Sequence, residues 1–228
     1  PRCRAVAERG RDSLPLREDS HAGALSRVRM MERRELLFQT GNPGKLAEAC
    51  QYFEPLGFTV EQFLINGEPP EIIEPQSDDL ITVARSKISQ GVALLAGAGR
   101  ADSALLVEDA GLFIDALGGF PGVYSASVLE KIGLDGILTL LEGREQRTAQ
   151  FGCCAAMWDG ERLLIGEGTC TGEISMEARG EHGFGYDPLF IPDESGLDGI
   201  TYAQMSSAEK ERSSHRARAY EQLVVQIG

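Results

Sequence analysis

Two adjacent carboxylates, Glu108 and Asp109, close the short apolar run "ALLVED". Open α/β sheets place their ligand-binding groups where such strands end. Successive strand residues point to opposite faces, so one of the pair is expected to look into a site there. Upstream, "PPEIIEPQSDD" supplies Glu71, Glu74, Asp78 and Asp79 in a loop before a helix, with Asp78 the expected cap. Lys87 falls three residues after Ala84 and beside Ile88, on the apolar edge of that helix. A lysine there either snorkels to solvent or meets a buried anion.

A second chemical segment is "TGNPGK", Thr40 to Lys45. Only two residues separate Gly41 from Gly44-Lys45, and Leu46 replaces the hydroxyl residue that holds magnesium in a Walker A loop, so this is not a P-loop. Asn42 is a good N-cap and Pro43 suits the first helical position. Unpaired backbone N–H groups at such a terminus attract anions, and Thr40 and Lys45 add a hydroxyl and a cation. The segment reads either as a capped helix with a surface lysine or as an anion grip. Further on, "HGFGYDPLF" combines glycines that permit close approach with Phe184 and Tyr186, which could stack on a base or form an aromatic turn. "EKERSSHRARA" brings Lys210, His215 and Arg216 into one helical neighbourhood, a basic face or a site.

The elements that must position these groups follow from periodicity. Leu36 to Phe38 predicts a strand, and Leu46, Ala49, Cys50 and Phe53 one face of a helix. Phe58 to Leu64 predicts a second strand. Leu80 to Leu95 predicts a long helix closed by Gly97 and Gly99. After the turn region "GGFPGVYS" a short helix is expected around Leu134 to Leu141. Thr148 to Trp158 and Arg162 to Ile174 form a hairpin about Asp159-Gly160. A last helix from about Ala208 carries Tyr220, Leu223, Val224 and Ile227 as its stripe. The fold class is α/β with a mixed sheet.

Composition narrows the function classes. The chain has 228 residues and a net charge of -13, yet residues 1–34 carry nine Arg against five Asp/Glu. The acidic body makes nucleic acid an unfavourable partner, and a polyanion would need the few cations concentrated in one cleft or a recruited metal. No apolar run is long enough to span a membrane. Residues 1–34 lack helical periodicity and an apolar core, and read as a disordered extension before a domain at 35–228. The five scattered cysteines suit reduced thiols in a cytoplasmic protein.

Together, "TGNPGK" (40–45), "VEDAGLFIDALGGFPGVYSA" (107–126), "GFGYDP" (183–188) and "SHRARA" (214–219), with "TYAQMSSAEK" (201–210), resemble the inosine triphosphate pyrophosphatase, or Ham1-like, family. The resemblance implies an elongated mixed sheet flanked by helices, with two lobes around a central nucleotide cleft. It implies a magnesium-dependent homodimer that cleaves dITP, ITP and XTP to the monophosphate and pyrophosphate and so cleanses the nucleotide pool. By similarity Asp109 is the proton acceptor and a magnesium ligand, and Glu74 the other acidic ligand. Thr40, Gly41, Asn42, Pro43, Gly44, Lys45 and Lys87 would grip the triphosphate beside Ala110. Phe184 would stack on the base, with Gly185, Tyr186 and Asp187 completing its loop. Lys210, His215 and Arg216 would face base and phosphate, Arg216 being the donor to a purine O6.

Several positions depart from that family's usual pattern. Leu80, Thr82 and Val83 replace Phe, Glu and Asn, Ala110 stands where Ser often follows the catalytic Asp, and Ser127 replaces an Arg. A rival reading is a non-catalytic purine-nucleotide-binding module of the same fold. A third, a house-cleaning pyrophosphatase for modified pyrimidines, lacks the "SHR" block.

Overall fold

The computed structural model describes residues 34–195 and 199–227; the expected extension at 1–34 falls outside them except for Arg34. Apolar alternation builds one seven-stranded mixed sheet, in the order β2-β1-β3-β5-β6-β7 with β4 paired to β3. Strand β1 (Arg34–Phe38) lies parallel to both β2 (Phe58–Gln62) and β3 (Ala104–Ile114). Helices α1 (Pro43–Phe53) and α2 (Leu80–Gly97) make the two crossovers. β3 then runs antiparallel to β5 (Thr148–Trp158), which forms a long hairpin with β6 (Leu163–Ile174). Two short strands, β4 (Pro121–Gly122) and β7 (Phe190–Pro192), complete the sheet.

Strand period decides which side chains enter which layer. Leu36, Phe38 and Leu106 pack against Phe53 of α1 and Tyr220 and Leu223 of α5 (His215–Ile227). Leu37, Leu105 and Val107 face the other way, under Ala84, Ile88 and Leu95 of α2. The far half of the sheet has its own core, in which Leu112, Ile114 and Phe151 meet Phe190 and Tyr202.

Helix α5 is fixed to the sheet by more than its apolar stripe. The edge of β6 that no strand covers over residues 165–169 is satisfied by side chains four apart on α5. Gln226 donates to the Ile165 carbonyl at 2.8 Å, Gln222 accepts from the Glu167 N–H at 2.9 Å, and Arg218 donates to the Thr169 carbonyl at 2.6 Å. Four helical residues and two strand residues advance by about 6 to 7 Å each, so the two rows stay in step. An open edge is thereby blunted, and the start of α5 is held in register.

Several expected boundaries move. β1 begins at Arg34, two residues before Leu36, and β2 ends at Gln62, not Leu64. β3 does not end at the two carboxylates. It continues through "AGLFI" because each of those residues pairs with β5 as far as Ile114 opposite Ala149. Gly111 is no break: a Cβ there would stand 2.2 Å from the Gly122 carbonyl oxygen, so it permits the crossing of β4. Asp79, not Asp78, caps α2, accepting from Ile81 and Thr82 N–H groups. Helix α3 (Ser125–Leu140) starts nine residues earlier than Leu134 because Gly133, at φ 64°, bends one helix into two. The last expected helix is also two, α4 (Ser207–Ser213) and α5, with the Ser214 hydroxyl accepting from the N–H groups of Arg216 and Ala217.

Candidate functional site

Along β3, pairing with β1 stops at Leu106 and pairing with β4 begins at Leu112. Between them one edge of β3 carries no strand, and the acidic pair lies in that gap. Asn42, Lys45, Ala110, Phe184, Lys210 and Arg216 are among the residues lining a cavity of about 360 Å³ there. It is of the size small-molecule sites have.

Asp109 points to the α2 side. Its Oδ1 accepts from the Lys87 ammonium at 3.3 Å, and Glu74 accepts from the same ammonium at 2.8 Å. The two alternatives for Lys87 thus resolve to the buried anion. Burial raises the pKa of Asp109, opposed by the charges of Lys87 and Lys45. Lys87 itself, which burial would lower, is held above its ordinary value by Asp109 and Glu74. Asp109 Oδ2 is buried with no hydrogen-bond partner, and buried polar atoms of that kind call for a ligand or an ion.

Glu108 points to the opposite face and is 2% exposed. Arg216 Nε donates to both of its oxygens, at 2.9 and 2.7 Å, Tyr220 donates at 2.7 Å, and Lys45 sits at 3.1 Å. Burial alone would raise this carboxyl, but Arg216 and Lys45 outweigh it and hold Glu108 far below the usual range. Glu48 extends the chain of charges, accepting from Arg216 Nη1 and from Lys210 at 2.7 Å. Lys210 in turn donates to Asp187 at 2.6 Å.

The loop before β7 is built around that last contact. Asp187 also accepts from the Phe184 N–H at 2.8 Å, and Gly183 and Gly185, at φ 71° and 68°, give the turn its left-handed corners. Phe184 is thereby laid against Gly44, where a Cβ would come within 2.3 Å of the ring. Lys210 lies 4.8 Å and Arg216 5.5 Å from its centroid, favourable cation–π geometry. Tyr186 is a core residue, 4% exposed, whose hydroxyl donates to the Ser125 carbonyl at 2.8 Å. His215 stacks on Phe151 at 4.7 Å, and its Nδ1 is buried without a partner. Burial, with Arg216 and Lys210 nearby, keeps this imidazole neutral well below its ordinary value.

The "TGNPGK" segment is in part an ordinary cap. Asn42 Oδ1 accepts from the N–H groups of Gly44 and Lys45 at 2.8 and 3.1 Å, so those two donors are already engaged. Thr40 Oγ1 accepts from the Asn42 N–H at 3.1 Å, Gly41 leaves an open turn, and Pro43 opens the helix as expected. Lys45 is no surface lysine, for its ammonium turns to Glu108. Lys210, His215 and Arg216 are likewise buried rather than part of a solvated face.

Thus the cavity gathers Asn42, Lys45, Ala110, Phe184 to Asp187, Lys210, His215 and Arg216, with Thr40, Gly41, Pro43 and Gly44 in the same turn but outside its lining, while Asp109, Lys87 and Glu74 meet on the other face of the strand. Sequence reasoning missed Glu48 and gave Glu108 no role. Glu48 lies three residues beyond Lys45 on α1, and that same-face spacing was the available signal. The donor set suits magnesium: an oxygen-only pair, Asp109 with a free oxygen and Glu74. Among the described residues no cluster of three or more His, Cys, Asp or Glu forms a metal cage, which fits a cation that draws most ligands from water and phosphate.

A mixed sheet opened at one strand, with acids and buried cations converging on the gap, defines the class: an α/β protein whose cleft is built for a charged small molecule. The sequence profile of the Ham1 family matches residues 36–226, and the chain belongs to that family. A dITP/XTP pyrophosphatase of Thermococcus kodakarensis is 49% identical over 184 residues, 81% of this chain and 92% of the relative. One of Pyrobaculum aerophilum is 42% identical, covering 81% and 91%. The Ham1 protein of Staphylococcus aureus superposes with a TM-score of 0.69 at 27% identity, covering 85% of this chain and 98% of its own.

Proposed function

We propose that the chain hydrolyses dITP, ITP and XTP to the monophosphate and pyrophosphate; its relatives are named as dITP/XTP pyrophosphatases. The observation that carries this reading is Asp109. It stands at the gap with one oxygen on Lys87 and the other buried and unpartnered, and its raised pKa makes it a better proton acceptor than an exposed aspartate. Asp109 takes a proton from the attacking water, a bond forms to the α-phosphorus, and its bond to the bridging oxygen breaks to release pyrophosphate. Lys87 and Lys45 neutralise the charge that collects on the leaving group. Asp109 and Glu74 would hold magnesium, which would supply further charge neutralisation and orient water.

At the base end, Phe184 offers a ring for stacking, while Arg216, Lys210 and His215, whose Nδ1 is unpartnered, line the same cavity. Buried cations match the acceptor O6 of hypoxanthine and xanthine, and oppose the amino group of adenine. The homodimer belongs to the same proposal and is checked by sedimentation. The decisive assay is pyrophosphate release from dITP, XTP, dATP and dGTP, with and without magnesium. Turnover of the first two, abolished by chelation, is the expected result; tight dITP binding without release would establish the binding module instead.

A further inference from the structure

We propose that Glu108 is a positioning residue that couples recognition of the base, through Arg216, to the placement of Lys45 on the triphosphate; this rests on the functional reading above. The carboxylate is fully enclosed and touches charged groups from two helices. Lys45 comes from the start of α1, beside the Thr40 to Gly44 turn, and Arg216 from the start of α5, over the Phe184 ring. These two cations would repel each other without the anion between them. Glu108 therefore sets both positions at once, and either cation can move only by disturbing the carboxylate that holds the other.

The arrangement has a chemical consequence. A 6-oxopurine accepts from the base-end cations and leaves Arg216 seated on Glu108 and Glu48. A 6-amino group presents hydrogens to those cations and pushes Arg216 off its seat. Glu108 follows through its two-oxygen contact with Nε, and Lys45 loses its register against the phosphates. Reacting groups misplaced by about 1 Å lose on the order of 100-fold in rate, so the wrong base is penalised in the chemical step as well as in binding. Glu108 faces away from the Asp109–Lys87 side of the strand and acts only through its partners.

The test is steady-state kinetics with dITP and dATP at saturating magnesium, with kcat and KM resolved separately for the wild type and Glu108→Gln. In the wild type, kcat for dITP is expected to exceed that for dATP by about tenfold or more, within the usual range of coupling between sites. In Glu108→Gln the two kcat values converge to within about twofold while the difference in KM persists. Tyr220→Phe controls for stability, because it removes a neutral donor to Glu108 and leaves both ion pairs; its kcat ratio stays as in the wild type. Should Glu108→Gln fail to fold, Glu108→Asp keeps the charge, withdraws it by one methylene, and is expected to lower the same ratio. An unchanged kcat ratio in the folded Glu108 variant overturns the proposal. So does an equal collapse in Tyr220→Phe, or wild-type discrimination confined to KM. Absence of pyrophosphate release from dITP by the wild type would instead overturn the functional reading.

Discussion

Glu108 and Asp109 are adjacent in β3, face opposite sides of the sheet, and answer to different cations: Arg216 and Lys45 for the first, Lys87 for the second. The strand pleat alone makes this separation. Arg216 and Lys45 hold the Glu108 carboxyl far below the usual range against its burial, while burial raises its neighbour Asp109 above an ordinary aspartate. Environments that push two acids apart in this way assign their roles.

Asp109→Asn should therefore retain the fold and lose about 100- to 10,000-fold in kcat, the usual worth of a general base. A companion variant checks the cause. Lys87 lowers the pKa of Asp109 against the effect of burial, so Lys87→Met should move the acid limb of the kcat/KM profile to higher pH. Because Asp109 acts when ionised, activity falls as pH drops through its pKa, and that fall begins earlier in the variant. A limb unmoved by Lys87→Met would remove Asp109 from the role.

Much of this was legible beforehand, and the reasons differ by element. The β5–β6 hairpin was readable because an Asp-Gly turn separates two long β-rich runs, and α1 because Asn42 and Pro43 announce it. The length of β3 was not, since Gly111 looks like a stop unless the carbonyl of Gly122 is known to cross it. The site's residue types were visible in four blocks, but their partnerships were not. Lys45 and Glu108, or Arg216 and Glu48, are far apart in sequence and meet only through the sheet. The sequence leaves Lys45 open between a surface residue and an anion grip for that reason, and its pairing with Glu108 is visible only in the fold.

Lys45→Ala accordingly should cost both activity and stability. Its ammonium pairs with a buried carboxylate that keeps Arg216 and Tyr220, so the loss should fall between the ~1 kcal/mol of an exposed pair and the ~3–5 kcal/mol of a fully buried one. Catalysis loses a charge-assisted contact to phosphate, roughly tenfold or more in kcat/KM. Thermal melting and dITP kinetics on one preparation check both, and an unchanged kcat/KM would leave Lys45 a purely structural counter-ion.

His215 predicts a pH dependence of stability. Its folded pKa is depressed by burial and by Arg216 and Lys210, whereas in the unfolded chain it titrates near 6.5. Below that value the unfolded state takes up a proton that the folded state refuses. The stabilisation is thus complete above about pH 6.5 and is lost as pH falls toward the folded pKa. Melting between pH 8 and 5.5 should show a declining midpoint, and His215→Gln should flatten it. An equal slope in the variant would assign the effect elsewhere.

Gly44→Ala separates the helix from the site it serves. Alanine is a better helix residue than glycine by about 0.8–1.0 kcal/mol in a helix interior, and less near a terminus, so on local grounds α1 should gain. The new methyl group, however, would stand 2.3 Å from Cδ1 and 2.7 Å from Cγ of Phe184. That ring must leave its place beneath Lys210 and Arg216, and Gly183 and Gly185 give its loop the freedom to do so. The expected outcome is a thermal midpoint within a few degrees of the wild type and a KM for dITP raised by about tenfold, the cost of one lost stacking contact. The control is Gly97→Ala at the last residue of α2, outside the site, since a Cβ there meets nothing within 4 Å and should leave KM alone. If Gly44→Ala raised KM no more than Gly97→Ala does, the position of Phe184 against α1 would have no part in holding the base.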